Sequence, residues 1–248
     1  MPSTVDAWAM SSATNPNALI LSDGGVGSLV AVWREWVSRP TVRGGTDIRA
    51  ALRTVIRGEA ASASVLLGTS PPGTPRAAAA ARQAELAGVP FVQSVECGIM
   101  ESLSSAALLR AAEIGAARGL SRIVWPVHLG GGTSSAAMTT AADRAAQVSQ
   151  LALLDLPRAG GPRTLEIETP LLDLSDAQVL ELALDLDVPL PRLRDAVSGL
   201  EAAGGSCWWC EGTSAGKASM CGACPSCERW RAAWMAIDPA GLLMDGGT

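Results

Sequence analysis

"NALILSDGGVGSLVAVWREWV", residues 17–37, begins with a short apolar run, breaks at a glycine-rich stretch, and resumes with apolar residues at helical spacing. It reads as a strand over 17–22, a tight loop over 23–28, and a helix. The same alternation recurs downstream. "ASVLLGTS" (63–70) predicts a second buried strand, 77–88 an alanine-rich helix, "PFVQSV" (90–95) a third strand, and 103–119 a helix ended by glycine. "RIVWPVH" (122–128) predicts a fourth strand, 136–154 a further helix, and "TLEIETPL" (164–171) a fifth strand. Ser175 reads as the N-cap of a helix that Pro189 and Pro191 close off. Strands alternating with helices predict an α/β fold, a doubly wound parallel sheet covered on both faces.

The chain has 248 residues, 48% of them hydrophobic, enough to close a core. Its net charge is −5, and its 19 Lys and Arg are scattered, so no basic stripe marks a nucleic-acid partner. The first residues lack the charged and apolar regions of a secretory leader, and no apolar run reaches the ~18 residues of a membrane span. The expected location is cytoplasmic, where disulfides are uncommon and clustered thiols bind metal or do redox work. The expected organisation is an N-terminal extension over 1–16, the α/β domain over 17–191, a cysteine-rich subdomain over 192–238, and a tail over 239–248.

Five of the six cysteines lie in "SCWWCEGTSAGKASMCGACPSC", residues 206–227. Cys221, Cys224 and Cys227 form C-x2-C-x2-C, and Cys207 and Cys210 form another C-x2-C upstream. Tetrahedral zinc takes four ligands about 2.3 Å away, and C-x2-C brings two sulfurs to one ion. Three downstream thiolates and one upstream thiolate complete a site, with five cysteines competing for four places. Four thiolates leave no open position for water, so the role is structural rather than catalytic. Cys97 stands apart at a strand end and reads as a buried apolar residue.

This C-terminal segment resembles 7-cyano-7-deazaguanine synthase, the queuosine-biosynthesis family of the PP-loop ATP pyrophosphatase superfamily. Ser206-Cys207-Trp208 matches its Ser-Cys-aromatic sequence, and Cys221-Gly222-Ala223-Cys224-Pro225-Ser226-Cys227 with Arg229 matches its C-G-x-C-x-x-C and basic residue. "IETPLLDLSDAQVLELALDLDV" (167–188) and "SRIVWPVH" (121–128) resemble the family's Glu-Thr-Pro-Leu segment and its I-V-x-G-V-H strand. The resemblance implies Zn²⁺ on Cys207, Cys221, Cys224 and Cys227, with Cys210 left over.

It also implies an ATP and Mg²⁺ site built on Ser22, Gly24, Gly25 and Ser28. The implied reaction is an ATP-dependent carbon–nitrogen ligation, converting 7-carboxy-7-deazaguanine and ammonia to the nitrile. The partners implied are a 7-deazapurine small molecule and ATP; a homodimer remains open.

The N-terminal loop departs from the family's S-G-G-x-D-S. Aligned without a gap, Gly24, Gly25 and Ser28 match, but Asp23 replaces the first serine and Gly27 the acidic residue. Glycines at a helix N-terminus can cradle phosphate, whereas a carboxylate at 23 pointing inward would repel it. The family's P-G-R-N segment should fall near 93–104, where this chain has no arginine, and its D-C-R segment is represented only by a displaced Asp143 and Arg144. A second reading is therefore a diverged, non-catalytic paralogue that keeps the zinc-stapled scaffold as a binding or partner subunit. A third is another PP-loop reaction with Cys210 or Cys97 as a reactive sulfur.

His128, the single histidine, either faces a ligand or is hydrogen-bonded within the scaffold. Trp208, Trp209, Trp230 and Trp234 either pack a small core or stack on a base. Glu166 and Glu168 share one strand face and either hold Mg²⁺ or face solvent. Ligands of such sheets bind beyond the carboxyl ends of the strands, which puts Asp23 to Ser28, the turn after Thr69 and the loop after His128 on one rim.

Overall fold

The computed structural model describes residues 18–37, 64–93, 104–128, 130, 134–155, 164–188 and 225–238. Five strands, β1 (Ala18–Ser22), β2 (Val65–Gly68), β3 (Phe91–Gln93), β4 (Arg122–Val124) and β5 (Glu166–Glu168), form one sheet in the order β3-β2-β1-β4-β5. Every pairing is parallel. The helices are α1 (Val26–Val37), α2 (Pro75–Ala87), α3 (Ser105–Ala117), α4 (Ser135–Asp155), α5 (Asp176–Asp185) and α6 (Pro225–Ile237).

Alternation along the strands divides the core between two faces. Leu19, Leu21, Leu67, Ile123 and Ile167 pack with Leu108, Ala111 and Ala112 of α3 and Ala145 and Val148 of α4. Ala18, Ile20, Leu66 and Val124 pack on the opposite face with Ala31 and Val32 of α1 and Ala84 and Ala87 of α2. Alanine on the inward faces of α2, α3 and α4 lets these helices lie close to the sheet. The sheet is therefore covered on both sides, as the alternating pattern predicts.

A third cluster joins α1, α5 and α6 through Val30 and Trp33, Val179 and Leu180, and Trp230 and Ala233. Trp230 is a core residue, and Trp234 packs partly buried against the same cluster. Trp208 and Trp209 lie outside the described residues.

The ends of β4, β5 and α5 fall short of the expected ones, each for a local reason. The strand expected over 122–128 pairs only to Val124: Trp125 still donates to the Glu168 carbonyl at 2.8 Å, but Pro126 has no N–H with which to continue. Pro170 likewise follows the last pairing residue of β5. α5 ends at Asp185 and not at the prolines. Asp187 turns left-handed with φ 52°, and the N–H groups of Asp187 and Val188 close back on the carbonyls of Leu184 and Ala183. Its start is the expected one: Ser175 caps the helix in a reciprocal pair with Gln178.

A buried ion cluster ties the amino-terminal side of the sheet to α1. Arg122, the first residue of β4, forks onto both carboxylate oxygens of Glu168 at 2.7 and 2.8 Å and reaches Glu35 at 3.2 and 3.3 Å. The Glu168 carboxylate raises the Arg122 pKa, against the opposing effect of burial, so the guanidinium stays charged. Of the two roles open to the glutamates, Glu168 takes neither in pure form, being an ion-pair partner, while Glu166 is exposed.

Candidate functional site

The strand order places the reversal of chain direction between β1 and β4. From β1 the chain enters α1 on one face, and from β4 it leads to α4 on the other, so the two loops diverge and open a crevice beyond the strand ends. The expected rim residues meet there. The Thr69 N–H donates to the Ser22 carbonyl at 2.7 Å, the Ser70 hydroxyl to the Asp23 carbonyl at 3.0 Å, and His128 lies against Gly27.

Of the four residues expected to hold nucleotide, each is held by its neighbours. The buried Ser22 hydroxyl accepts from the Gly24 N–H at 3.1 Å and donates to the Gln83 side chain at 2.8 Å. Gln83, on α2, returns a bond to the Gly25 carbonyl at 2.9 Å. Gly24 has φ 81°, and a Cβ there would stand 2.3 Å from the Arg76 carbonyl oxygen, so only glycine permits this approach of loop and helix. Ser28, in the first turn of α1, gives its hydroxyl hydrogen to Asp23 at 2.6 Å.

Asp23 points inward. Its Oδ1 accepts the Gly25 N–H at 2.8 Å and the Ser28 hydroxyl, and its Oδ2 pairs with Arg76 Nη2 at 3.1 Å. A carboxylate of the chain itself thus takes donors at the N-terminus of α1 that an external oxyanion would need. Burial pushes the Asp23 carboxyl up, but Arg76, the Ser28 hydroxyl and the Gly25 N–H outweigh it and hold the pKa below 3.8, with His128 adding in the same direction. A pyrophosphate does not fit this arrangement: it would meet an ionised carboxylate where its own oxygens should sit.

Arg76 is the site residue that sequence reading passed over. It enters from the first turn of α2, whose N-cap is Thr74. A cation in a first turn opposes the helix dipole, and that misplacement is the signal available in the sequence. Its side chain is only 7% exposed, and its Nε and Nη1 are buried without a hydrogen-bond partner.

His128 sits on the other wall. Its Nε2 lies 3.0 Å from Asp176 Oδ1, and Arg229 of α6 pairs with Asp176 Oδ2 at 3.2 Å. Trp230 packs on the imidazole with ring centroids 5.5 Å apart. Nε2 being engaged, Nδ1 faces the loop, 3.0 Å from the position a Cβ on Gly27 would take. The scaffold-bonded reading of His128 thus describes one nitrogen and leaves the other at the crevice.

The cysteines expected to bind zinc, Cys207, Cys221, Cys224 and Cys227, lie outside the described residues, as do Cys210 and Cys97; of Cys227 only the helical backbone is described. Among the described residues no group of three or more His, Cys, Asp and Glu is placed to hold a metal ion, and no helix is long and apolar enough to cross a membrane. No protein-family model matches the chain, and no curated protein matches it.

Proposed function

We propose that the protein is a diverged relative of 7-cyano-7-deazaguanine synthase that keeps the PP-loop-type scaffold and its C-terminal cysteine segment as a binding or partner subunit, without turning over ATP. One observation carries this reading. Asp23, standing where the family has a serine, fills the N-terminus of α1 with its own carboxylate and takes up the Gly25 N–H and the Ser28 hydroxyl. An incoming triphosphate would have to displace an ionised group that Arg76 also holds. The strand order and the position of the glycine loop at the crevice support descent from a nucleotide-binding scaffold.

The resemblance still supplies the other expectations. These are Zn²⁺ on the four cysteines as a structural staple, a 7-deazapurine-like small molecule as ligand class, and a cytoplasmic location. The test is AMP release from Mg-ATP by zinc-loaded protein, with and without 7-carboxy-7-deazaguanine and ammonium. The expected result is no substrate-dependent AMP. Substrate-dependent AMP would restore the synthase reaction as the function.

A further inference from the structure

The helices that cover the sheet differ on their outer sides. α2 and α3 each set an arginine and a glutamate three residues apart there, Arg82 with Glu85 and Arg110 with Glu113, as solvated helices commonly do. α4 does not. Along its 21 residues Asp143 is the only exposed charge among the described residues, while Leu151 and Leu154 stand 48% and 72% exposed. The hydroxyls of Thr139 and Thr140 donate to the carbonyls of Ser135 and Ala136 at 3.0 and 2.8 Å, so neither hydrogen needs water. A single exposed leucine is ordinary; two of them three residues apart on a face almost without charge form a patch.

We propose that this face of α4 pairs with α4 of a second copy of the chain, antiparallel about a two-fold axis at the level of Ala145. The face matches its own reverse there. Helical spacing puts Ala136, Asp143, Gln147 and Leu154 along one line, all exposed. The two-fold sets Leu154 of one copy on Ala136 of the other, Leu151 beside Thr140, and the Gln147 amide beside the Asp143 carboxylate. Large side chains meet small ones, the one charge gains a donor, and each contact occurs twice. Alanine at 136 lets the axes approach to the usual 8–10 Å of packed helices. This match of the face to itself selects a second copy over an unrelated partner. The helix is about 31 Å long, so the contact is a small one and the dimer a weak one, with a Kd on the order of 10 μM. Nothing in the pairing depends on the Asp23 loop.

The test is sedimentation velocity of the full chain at concentrations from well below to well above that Kd. The expected result is a monomer that passes reversibly to a dimer. Leu154→Glu should weaken the dimer at least about tenfold and leave the Tm of the monomer unchanged, because the side chain is exposed. The register is read separately, by placing the photo-crosslinking residue p-benzoylphenylalanine at position 150. In the dimer it should join to residues 136–140 of the partner, as mass spectrometry of the digested product would show. A monomer at every concentration overturns the proposal. So does a dimer that Leu154→Glu leaves intact or that cross-links elsewhere, since the chain then pairs through another face. A monomer whose Tm falls in Leu154→Glu also overturns it, because the patch is then covered by the chain itself.

Discussion

Two buried arginines stand at opposite ends of the same parallel sheet, and they are treated differently. Arg122, at the amino-terminal end, meets two carboxylates and forks onto one of them with Nε and Nη2. Arg76, at the carboxyl-terminal end, meets one carboxylate with one nitrogen and keeps two others unmet. A guanidinium surrounded by acceptors does structural work: it pins β5 and α1 to β4. One left short of acceptors at the ligand end of a doubly wound sheet marks where the fold has not been optimised for stability alone.

Arg122→Met leaves the buried Glu35 and the half-buried Glu168 beside each other with only the more distant Arg34 near Glu35, and should cost about 3 kcal/mol in urea unfolding. A loss near zero would remove the contrast at its structural end. Gly24→Ala, at φ 81° and with its new Cβ 2.3 Å from a backbone oxygen, should cost about 3 kcal/mol and loosen Arg76 with it.

Asp23→Asn should cost about 2 kcal/mol near neutral pH, by weakening bonds to a charged acceptor. The sign with pH follows from the lowered pKa. The native state binds fewer protons at Asp23 than the unfolded chain, so its stabilisation is present above the ordinary value of 3.8 and is lost as pH falls below it. The gap between wild type and Asp23→Asn should therefore close in acid. A gap that widens there would mean that burial, not Arg76, governs the carboxyl.

The smallest effect sharpens the comparison most. Arg76→Met should cost less than Arg122→Met, about 1–2 kcal/mol. Asp23 retains the Gly25 N–H, the Ser28 hydroxyl and the helix dipole, and the unmet buried donors disappear with the guanidinium. A loss as large as that of Arg122→Met would make both arginines structural.

The sheet was legible because its signals are local: apolar runs of strand length, glycine after a helix, Ser175 before one. Ends were less so. The run "RIVWPVH" is apolar throughout, and only the missing N–H of Pro126 stops its ladder. In α5 the left-handed Asp187 closes the helix before either proline could.

Within the candidate site, the loop residues and the consequence of an inward carboxylate at 23 could be read from the departure at that one position. The partners could not. Arg76 lies 53 positions along from Asp23 by their numbers, while Asp176 reaches His128 from α5 and Arg229 reaches Asp176 from α6. Asp176 suits a helix start by its charge alone, which hides its second task. Arg76 is the reverse case, a residue with the wrong sign for its place in α2.

The most direct test of the account is the Gly25 amide resonance during titration with pyrophosphate, in the unmodified protein and in Asp23→Ser. With the carboxylate holding that N–H, the account predicts no saturable shift in the unmodified protein and a saturable shift once the carboxylate is gone. A saturable shift of equal size in both proteins would contradict it, because the loop would then be open to phosphate with Asp23 in place.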